Sequence, residues 1–332
     1  MSLLFIDGFA DGLGAAKYVS GSFAADAAYG RVGGNGGRFG NIENGTAVIG
    51  FPSLTSIVVG MAVYLDSAAD GDVLWGLGDE GRMRWYADGS LAWRLGTSGA
   101  VLAQSSPGSV PTGAWHYVEL KLVLHNSTGA ATIAIDGVVD GVGSGIDTAV
   151  AGSATALTLG FDSSAWIDRW YCADLYVADI DGSGIVDFLG DVRVETVLPS
   201  GNGTTSDLIG SDMDSTDNYL LVDEATPSTA DFVQSAAEGD LDTYTMSDLA
   251  SSAVTVHGVQ TCIYATKSDA GNKFIRPVIR SGTTNYPGTS KALAAVTYLA
   301  SLEVWEQDPD TAAAWTASGV NAMEVGQEVR DS

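Results

Sequence analysis

Asp179-Ile-Asp181-Gly-Ser183-Gly184-Ile-Val-Asp187 carries oxygen-bearing side chains at relative positions 1, 3, 5 and 9, with glycine at 6. Hard oxygen ligands at that spacing match the front of a calcium-binding loop. Position 12, where a bidentate glutamate closes such a loop, is Gly190. The stretch therefore reads either as a calcium site built from Asp179, Asp181, Ser183 and Asp187, or as an acidic linker between two domains. Asp207, Asp212, Asp214 and Asp217 form a second acidic cluster, and Asp66, Asp70 and Asp72 a third. Both read as solvated loop acids, with ligation of a cation where loops meet as the alternative for either. No other cofactor is indicated.

Aromatic rings pack on sugar faces, so the tryptophans are the candidates for glycan contact. In the run Trp166-Ile-Asp-Arg-Trp170-Tyr, an extended chain puts Trp166 and Trp170 on one face. These two are the candidate ligand platform. Trp85 and Trp93 fall on an apolar face and are expected in the core. Catalytic patterns are weaker. Glu119 and Glu195 lack a carboxylate partner at short spacing, and His116, His125 and His257 lack a Gly-x-Ser-x-Gly nucleophile motif. Gly33-Gly-Asn-Gly-Gly37 lacks the lysine of a phosphate loop. The expectation is a protein without enzymatic activity.

These residues sit in a chain of 332 residues with 45% hydrophobic content, enough for two ordinary cores. Fifteen basic against 41 acidic residues leave a net charge of −26, which repels phosphate backbones and anionic lipid. Nucleic-acid binding is therefore not expected, and no apolar run approaches a membrane span. Cys172 and Cys262 are too few and too far apart for a disulfide framework, so two free thiols are expected. The Met1 segment lacks the basic region and apolar length of a signal peptide, which predicts no Sec export.

With 42 glycines, 8 prolines and short apolar runs between turn residues, the chain predicts an all-β fold. Expected strands in the first half are 46–50, 56–65, 73–77, 82–87, 91–95, 115–124, 131–135, 156–161 and 166–177. In the second half they are 192–198, 218–222, 243–249, 254–267, 273–281, 294–303 and 320–329. A polar loop is expected over 201–216, and a short helix before the last strand, in the stretch ending at Trp315. Val118, Leu120, Leu122 and Leu124 alternate as a strand buried on one face, and Asp136-Gly137 marks a tight hairpin. For the hairpin after 82–87, a three-residue loop Asp88-Gly89-Ser90 with Gly89 left-handed keeps one face apolar. That register opposes Trp85 to Trp93, Met83 to Leu95 and Arg84 to Arg94. The composition shift near Asp187 places the domain boundary, giving 1–187 and 188–332.

Gly113-Ala-Trp-His-Tyr-Val, a long strand and a hairpin tipped by Asp136-Gly137 resemble the laminin-G and concanavalin A-like lectin sandwiches. The resemblance implies a jelly-roll β-sandwich that serves lectins, glycanases, adhesion modules or structural domains, with calcium often held at a rim where loops meet. The glucanases of that fold carry Glu-x-Asp-x-x-Glu on one strand, and this chain has no such pattern. Phe188-Leu-Gly-Asp-Val-Arg-Val-Glu195, Asp217-Asn-Tyr219, Val222-Asp-Glu224, Gly239-Asp-Leu-Asp-Thr-Tyr244 and the closing Trp315 to Val329 are similar to a module of bacteriophage virion proteins. That resemblance, over about 188–330, implies a second β-sandwich and a virion structural protein, either capsid decoration or tail appendage, assembled in the host cytoplasm. Its partners would be other virion proteins, further copies of itself with a trimer as the working number, and a host-surface glycan. The alternatives are a free calcium-dependent carbohydrate-binding protein and a glycan hydrolase.

Overall fold

A computed structural model describes residues 2–10, 14–31, 36–39, 45–160, 169–181, 184–250 and 254–332. The chain is all-β and divides into two compact units, 2–10 with 14–194, and 195–332. The division lies seven residues beyond the expected boundary at 187, because residues 188–194 pack on the first unit.

The first unit contains β1 (Leu3–Asp7), β2 (Ser20–Ser22), β3 (Ala24–Asp26), β4 (Gly36–Phe39), β5 (Thr46–Leu54), β6 (Ser56–Ser67), β7 (Asp72–Leu77) and β8 (Gly81–Trp85). It continues with β9 (Leu91–Leu95), β10 (Val101–Gln104), β11 (Trp115–Val123), β12 (Gly129–Ile135), β13 (Val138–Ile146), β14 (Ala154–Leu159) and β15 (Arg169–Asp179). One sheet runs β13-β12-β11-β6-β15-β4-β3, with β1 also on β15, and the other runs β10-β9-β8-β7-β14-β5-β2. Met61, Val59 and Ile57 of β6, paired with Val118, Leu120 and Leu122 of β11, fill the inner side of the first sheet. Trp75, Met83, Trp93, Leu157 and Leu159 are equally buried in the second. Trp75 and Trp93 meet at 5.5 Å between ring centroids. The alternation of the sequence thus maps onto burial as expected of a strand.

Two hairpins test the register. Ile135 pairs with Val138, and Asp136 and Gly137 have φ of 51° and 78°, the two positive angles of a type I′ turn. The β8–β9 hairpin has the expected three-residue loop and left-handed Gly89 (φ 80°), but the loop is Ala87-Asp88-Gly89. Trp85 therefore opposes Leu91, Met83 opposes Trp93, and Arg82, not Arg84, opposes Arg94. The Tyr86 amide donates to Ser90 O, and the Asp88 carboxylate accepts from the Ser90 amide and hydroxyl. Those bonds extend the ladder to Ser90 and shift the pairing by two residues. An even shift preserves the faces, so Trp85 and Trp93 remain in the core.

The second unit builds a six-stranded antiparallel sheet in the order Pro199–Ser206, Leu241–Met246, Glu324–Arg330, Phe274–Ser281 and Thr284–Pro287, with Lys291–Ala292 also on Phe274–Ser281. A two-stranded ribbon, Val259–Ala265 with Leu299–Trp305, supplies much of its remaining strand structure. Ile279, Trp315, Val320 and Met323 form a buried cluster. The expected strand at 192–198 is irregular chain, and Pro199–Ser206 is a strand where a polar loop is expected. Its inward positions include Gly201 and Gly203, so no apolar alternation announces it. At Gly203 an added Cβ would meet Glu324 Oε2 and Thr243 O at 2.5 Å. Asn218–Leu221 is a 3-10 turn instead of a strand, and the helix is Ala317–Ala322, after Trp315 and capped by Thr316. Among the described residues no helix is long and apolar enough to cross a membrane.

Candidate functional site

Chemistry-bearing side chains gather on the outer side of the first sheet, across the middle of β11, β6 and β15. Tyr117, Glu119 and Lys121 alternate outward on β11, opposite Ala62, Gly60 and Val58 of β6. Tyr171 and Tyr176 follow on β15. Gly60 is required by close approach: an added Cβ would sit 2.1 Å from Tyr176 Cε1, so the ring lies directly on the strand.

Glu119 is fully buried. Its Oε1 accepts the Tyr176 hydroxyl at 2.5 Å and the Leu189 and Gly190 amides at 2.9 and 3.0 Å. Gly190, at φ 79°, turns the chain so that both amides face that oxygen. Burial raises the Glu119 carboxyl above its ordinary value, against the lowering effect of these hydrogen bonds. Burial and then the Glu119 charge raise the Tyr176 hydroxyl. Tyr117, also raised by burial, donates to Asp174 O at 2.9 Å.

Asp174 sits at a bulge in β15 with φ 52°. Its Oδ2 accepts from Arg31 and Arg193 at 3.1 and 3.2 Å, and its Oδ1 accepts the Val194 amide at 2.9 Å. Arg31 also pairs with Asp191 and lies 5.3 Å from the Tyr117 ring centre. Lys121 donates to Asp187 at 2.7 Å and lies 5.2 Å from the Phe188 ring centre. Residues 187–194 therefore form a strap that bonds Glu119 Oε1, Asp174, Arg31 and Lys121, while Glu119 Oε2 is buried with no hydrogen-bond partner among the described residues. Tyr29 stacks on Tyr171 at 4.0 Å beside it. The one-sided burial expected of 118–124 fails here for the same reason: Tyr117 and Glu119, on the outer side of β11, are both fully buried.

The outer side of the second sheet has another character. Arg82, Arg84 and Tyr86 alternate along one strand, and Arg94 lies directly across from Arg82. Arg84 donates from Nη1 to Gly71 O at 2.6 Å and from Nη2 to Thr97 O at 2.8 Å. Arg94 donates from Nε to Gly99 O at 2.9 Å and from Nη1 to the Tyr86 hydroxyl at 3.0 Å. Arg82 lies on Gly76, where an added Cβ would sit 2.6 Å from its Cδ. Burial lowers the Arg82 guanidinium below its ordinary value, Asp79 opposes that, and Arg84 adds to it.

The residues singled out in the sequence do not converge on either face. Trp170 is fully buried and stacks on Phe39 at 5.0 Å, which corrects its assignment to an exposed sugar platform. Trp166 and Ser183 lie outside the described residues. The calcium reading does not fit the remaining three acids. Asp187 is engaged by Lys121 and the Phe188 amide, Asp179 accepts the Asp181 amide, and Asp181 accepts the Thr55 hydroxyl. Among the described residues no group of three or more His, Cys, Asp or Glu side chains is placed to hold a metal. The other acidic clusters bond backbone amides: Asp70 accepts the Ala87 amide, Asp214 that of Thr216 in a local turn, and Asp207 that of Leu241. His116 pairs with Asp136 at the hairpin tip, and His125 accepts the Ser127 and Thr128 amides. Cys172 and Cys262 are both unbridged thiols, and burial raises Cys172 well above its ordinary value. Asp174, Arg31 and Tyr86 do not stand out in the sequence. The alternation Arg82-x-Arg84-x-Tyr86 in so acidic a chain is the signal available for the last.

No family model matches the sequence, and no curated protein matches it. Solved structures similar to part of the chain include the endo-β-1,4-glucuronan lyase of the fungus Trichoderma reesei, at 10% identity and TM-score 0.36, covering 53% of this chain and 95% of the lyase. Domain 4 of an extracellular arabinanase from Geobacillus stearothermophilus, in complex with arabinotriose, matches at 16% identity and TM-score 0.36, covering 53% and 81% of the respective chains. A carbohydrate-binding module of a Ruminococcus gnavus sialidase, bound to α2,3-sialyllactose, matches at 12% identity and TM-score 0.27, covering 36% and 76%. These proteins are carbohydrate-binding or glycan-active, and at such values neither ligand nor activity passes from them to this chain.

Proposed function

We propose that this chain is a non-enzymatic structural protein whose sandwich unit adheres to glycans. Its place in a virus particle, as capsid decoration or tail appendage in several copies, rests on the resemblance of 188–330 to a bacteriophage virion module. The observation that carries the non-enzymatic reading is the position of Glu119. A general acid or base must reach a substrate proton, and the Oε1 of this buried carboxylate instead holds Tyr176 and two amides of the chain's own strap. Asp174, the other buried carboxylate of that face, binds Arg31, Arg193 and the Val194 amide.

Incubation of the purified chain with neutral and uronate-containing polysaccharides tests this reading. New reducing ends and unsaturated sugars are expected to stay at background. Turnover that disappears in Glu119→Gln would overturn it and favour a glycan-degrading enzyme. Immunogold labelling of particles purified from the source tests the virion reading separately. Label at heads or tails supports it, and bare, antibody-accessible particles contradict it.

A further inference from the structure

Arg82 and Arg94 stand directly opposite each other on β8 and β9, with Arg84 diagonal to Arg94. Like charges in such positions destabilise a strand pair. The chain has only 15 basic residues against 41 acidic ones, yet it gathers three on one sheet face. The hydrogen bonds of Arg84 and Arg94 run to backbone carbonyls and to the Tyr86 hydroxyl. Those neutral acceptors fix the guanidinium groups in place without neutralising them. Among the described residues neither Arg84 nor Arg94 has a carboxylate within ion-pair distance. The contrast with Arg31, Arg276 and Arg330, each paired with acids, is direct.

We infer that the face formed by Arg82, Arg84, Arg94 and Tyr86 binds a carboxylate-bearing glycan, with uronic-acid chains as the ligand class. This rests on the glycan-adhesion reading above and adds the location and the charge of the ligand. Arginine forks match carboxylates in bidentate geometry. Half-buried Tyr86, in line with the arginines, and exposed Val101, paired with Arg94, offer apolar contact for the carbon face of a sugar ring. The net charge of −26 selects against densely charged polyphosphate, whereas a chain with one carboxylate per sugar meets less repulsion. At physiological salt the screening length is about 8 Å, so local guanidinium contacts outweigh distant acids.

Calorimetric titration of the full chain with oligogalacturonate, with neutral dextran and dextran sulfate as comparisons, provides the test. Oligogalacturonate is expected to bind, more weakly as salt rises, and dextran to give no heat. The Arg84→Ala/Arg94→Ala double variant is expected to lose at least about tenfold in affinity, while Arg276→Ala, in the second unit, binds as the parent does. Circular dichroism and melting of the double variant confirm that it remains folded. No binding of oligogalacturonate by the folded parent, or unchanged binding by the double variant, overturns the inference. Preference for dextran sulfate overturns the carboxylate assignment. Self-association that the double variant abolishes, without glycan binding, identifies a second copy of this acidic chain as the occupant and also overturns it. Binding accompanied by cleavage would instead defeat the non-enzymatic reading and leave the binding site standing, so the two failures are distinguishable.

Discussion

The two outer faces of the sandwich handle charge in opposite ways. On the first sheet, Glu119, Asp174, Arg31 and Lys121 find partners among themselves and in residues 187–194. On the second, Arg84 and Arg94 rest on carbonyls and one tyrosine hydroxyl, so their charge stays available. Each face also has a glycine under a large side chain, Gly60 beneath Tyr176 and Gly76 beneath Arg82. The same device seals one side and flattens an arginine on the other. A residue able to do chemistry is thus no guide to a site until its partners are counted: the carboxylates serve the fold, and the charge of Arg84 and Arg94 is left for a ligand.

Substitutions sharpen this contrast. Asp174→Ala should be the most damaging, lowering stability by about 3 kcal/mol, because it removes one of the two carboxylates on half-buried Arg31, leaves the Val194 amide without its acceptor and places alanine at a left-handed position. Chemical denaturation of the full chain, followed by tryptophan fluorescence, measures this. Gly190→Ala should cost about 1 kcal/mol through its positive φ alone, since an added Cβ meets nothing within 4 Å. The same denaturation curve reads it. On the other face, Arg94→Ala should change stability by less than about 0.5 kcal/mol, as relief of like-charge repulsion offsets lost surface hydrogen bonds. A loss as large as that of Asp174→Ala would make the arginine row structural and remove the contrast.

The sealed face also carries a pH signature. Burial raises the Glu119 carboxyl above its unfolded value, so the folded chain binds the extra proton between the two values. Its stabilising contribution is full below the ordinary carboxylate range and is lost as pH rises through the raised value. Glu119→Gln keeps an oxygen for the Leu189 and Gly190 amides and should flatten that part of the profile. Melting temperatures across the acid range would check the sign, and a parent profile that instead rises only on deprotonation of Glu119 would contradict it.

Much of the first unit was legible because its strands are apolar on alternate residues. Asp136-Gly137 fixed one turn, and the even spacing of Trp85 and Trp93 kept both in the core even though the register differed by two. The strap was not legible, since an irregular segment is recognised by where its amides point, and Leu189 and Gly190 carry no sequence mark of Glu119. Trp170 misled because an aromatic on a strand looks the same whether its face is inward or outward until the neighbour, Phe39, is known. The strand Pro199–Ser206 escaped because its inward side is small instead of apolar.

Amide hydrogen exchange on the full chain tests the central claim most directly. The Leu189, Gly190 and Val194 amides, though in irregular chain, are expected to exchange as slowly as those of β11 because they donate to buried carboxylates. Exchange of all three at the rate of an exposed loop would mean that the strap is open and that Glu119 and Asp174 face solvent, contradicting the account.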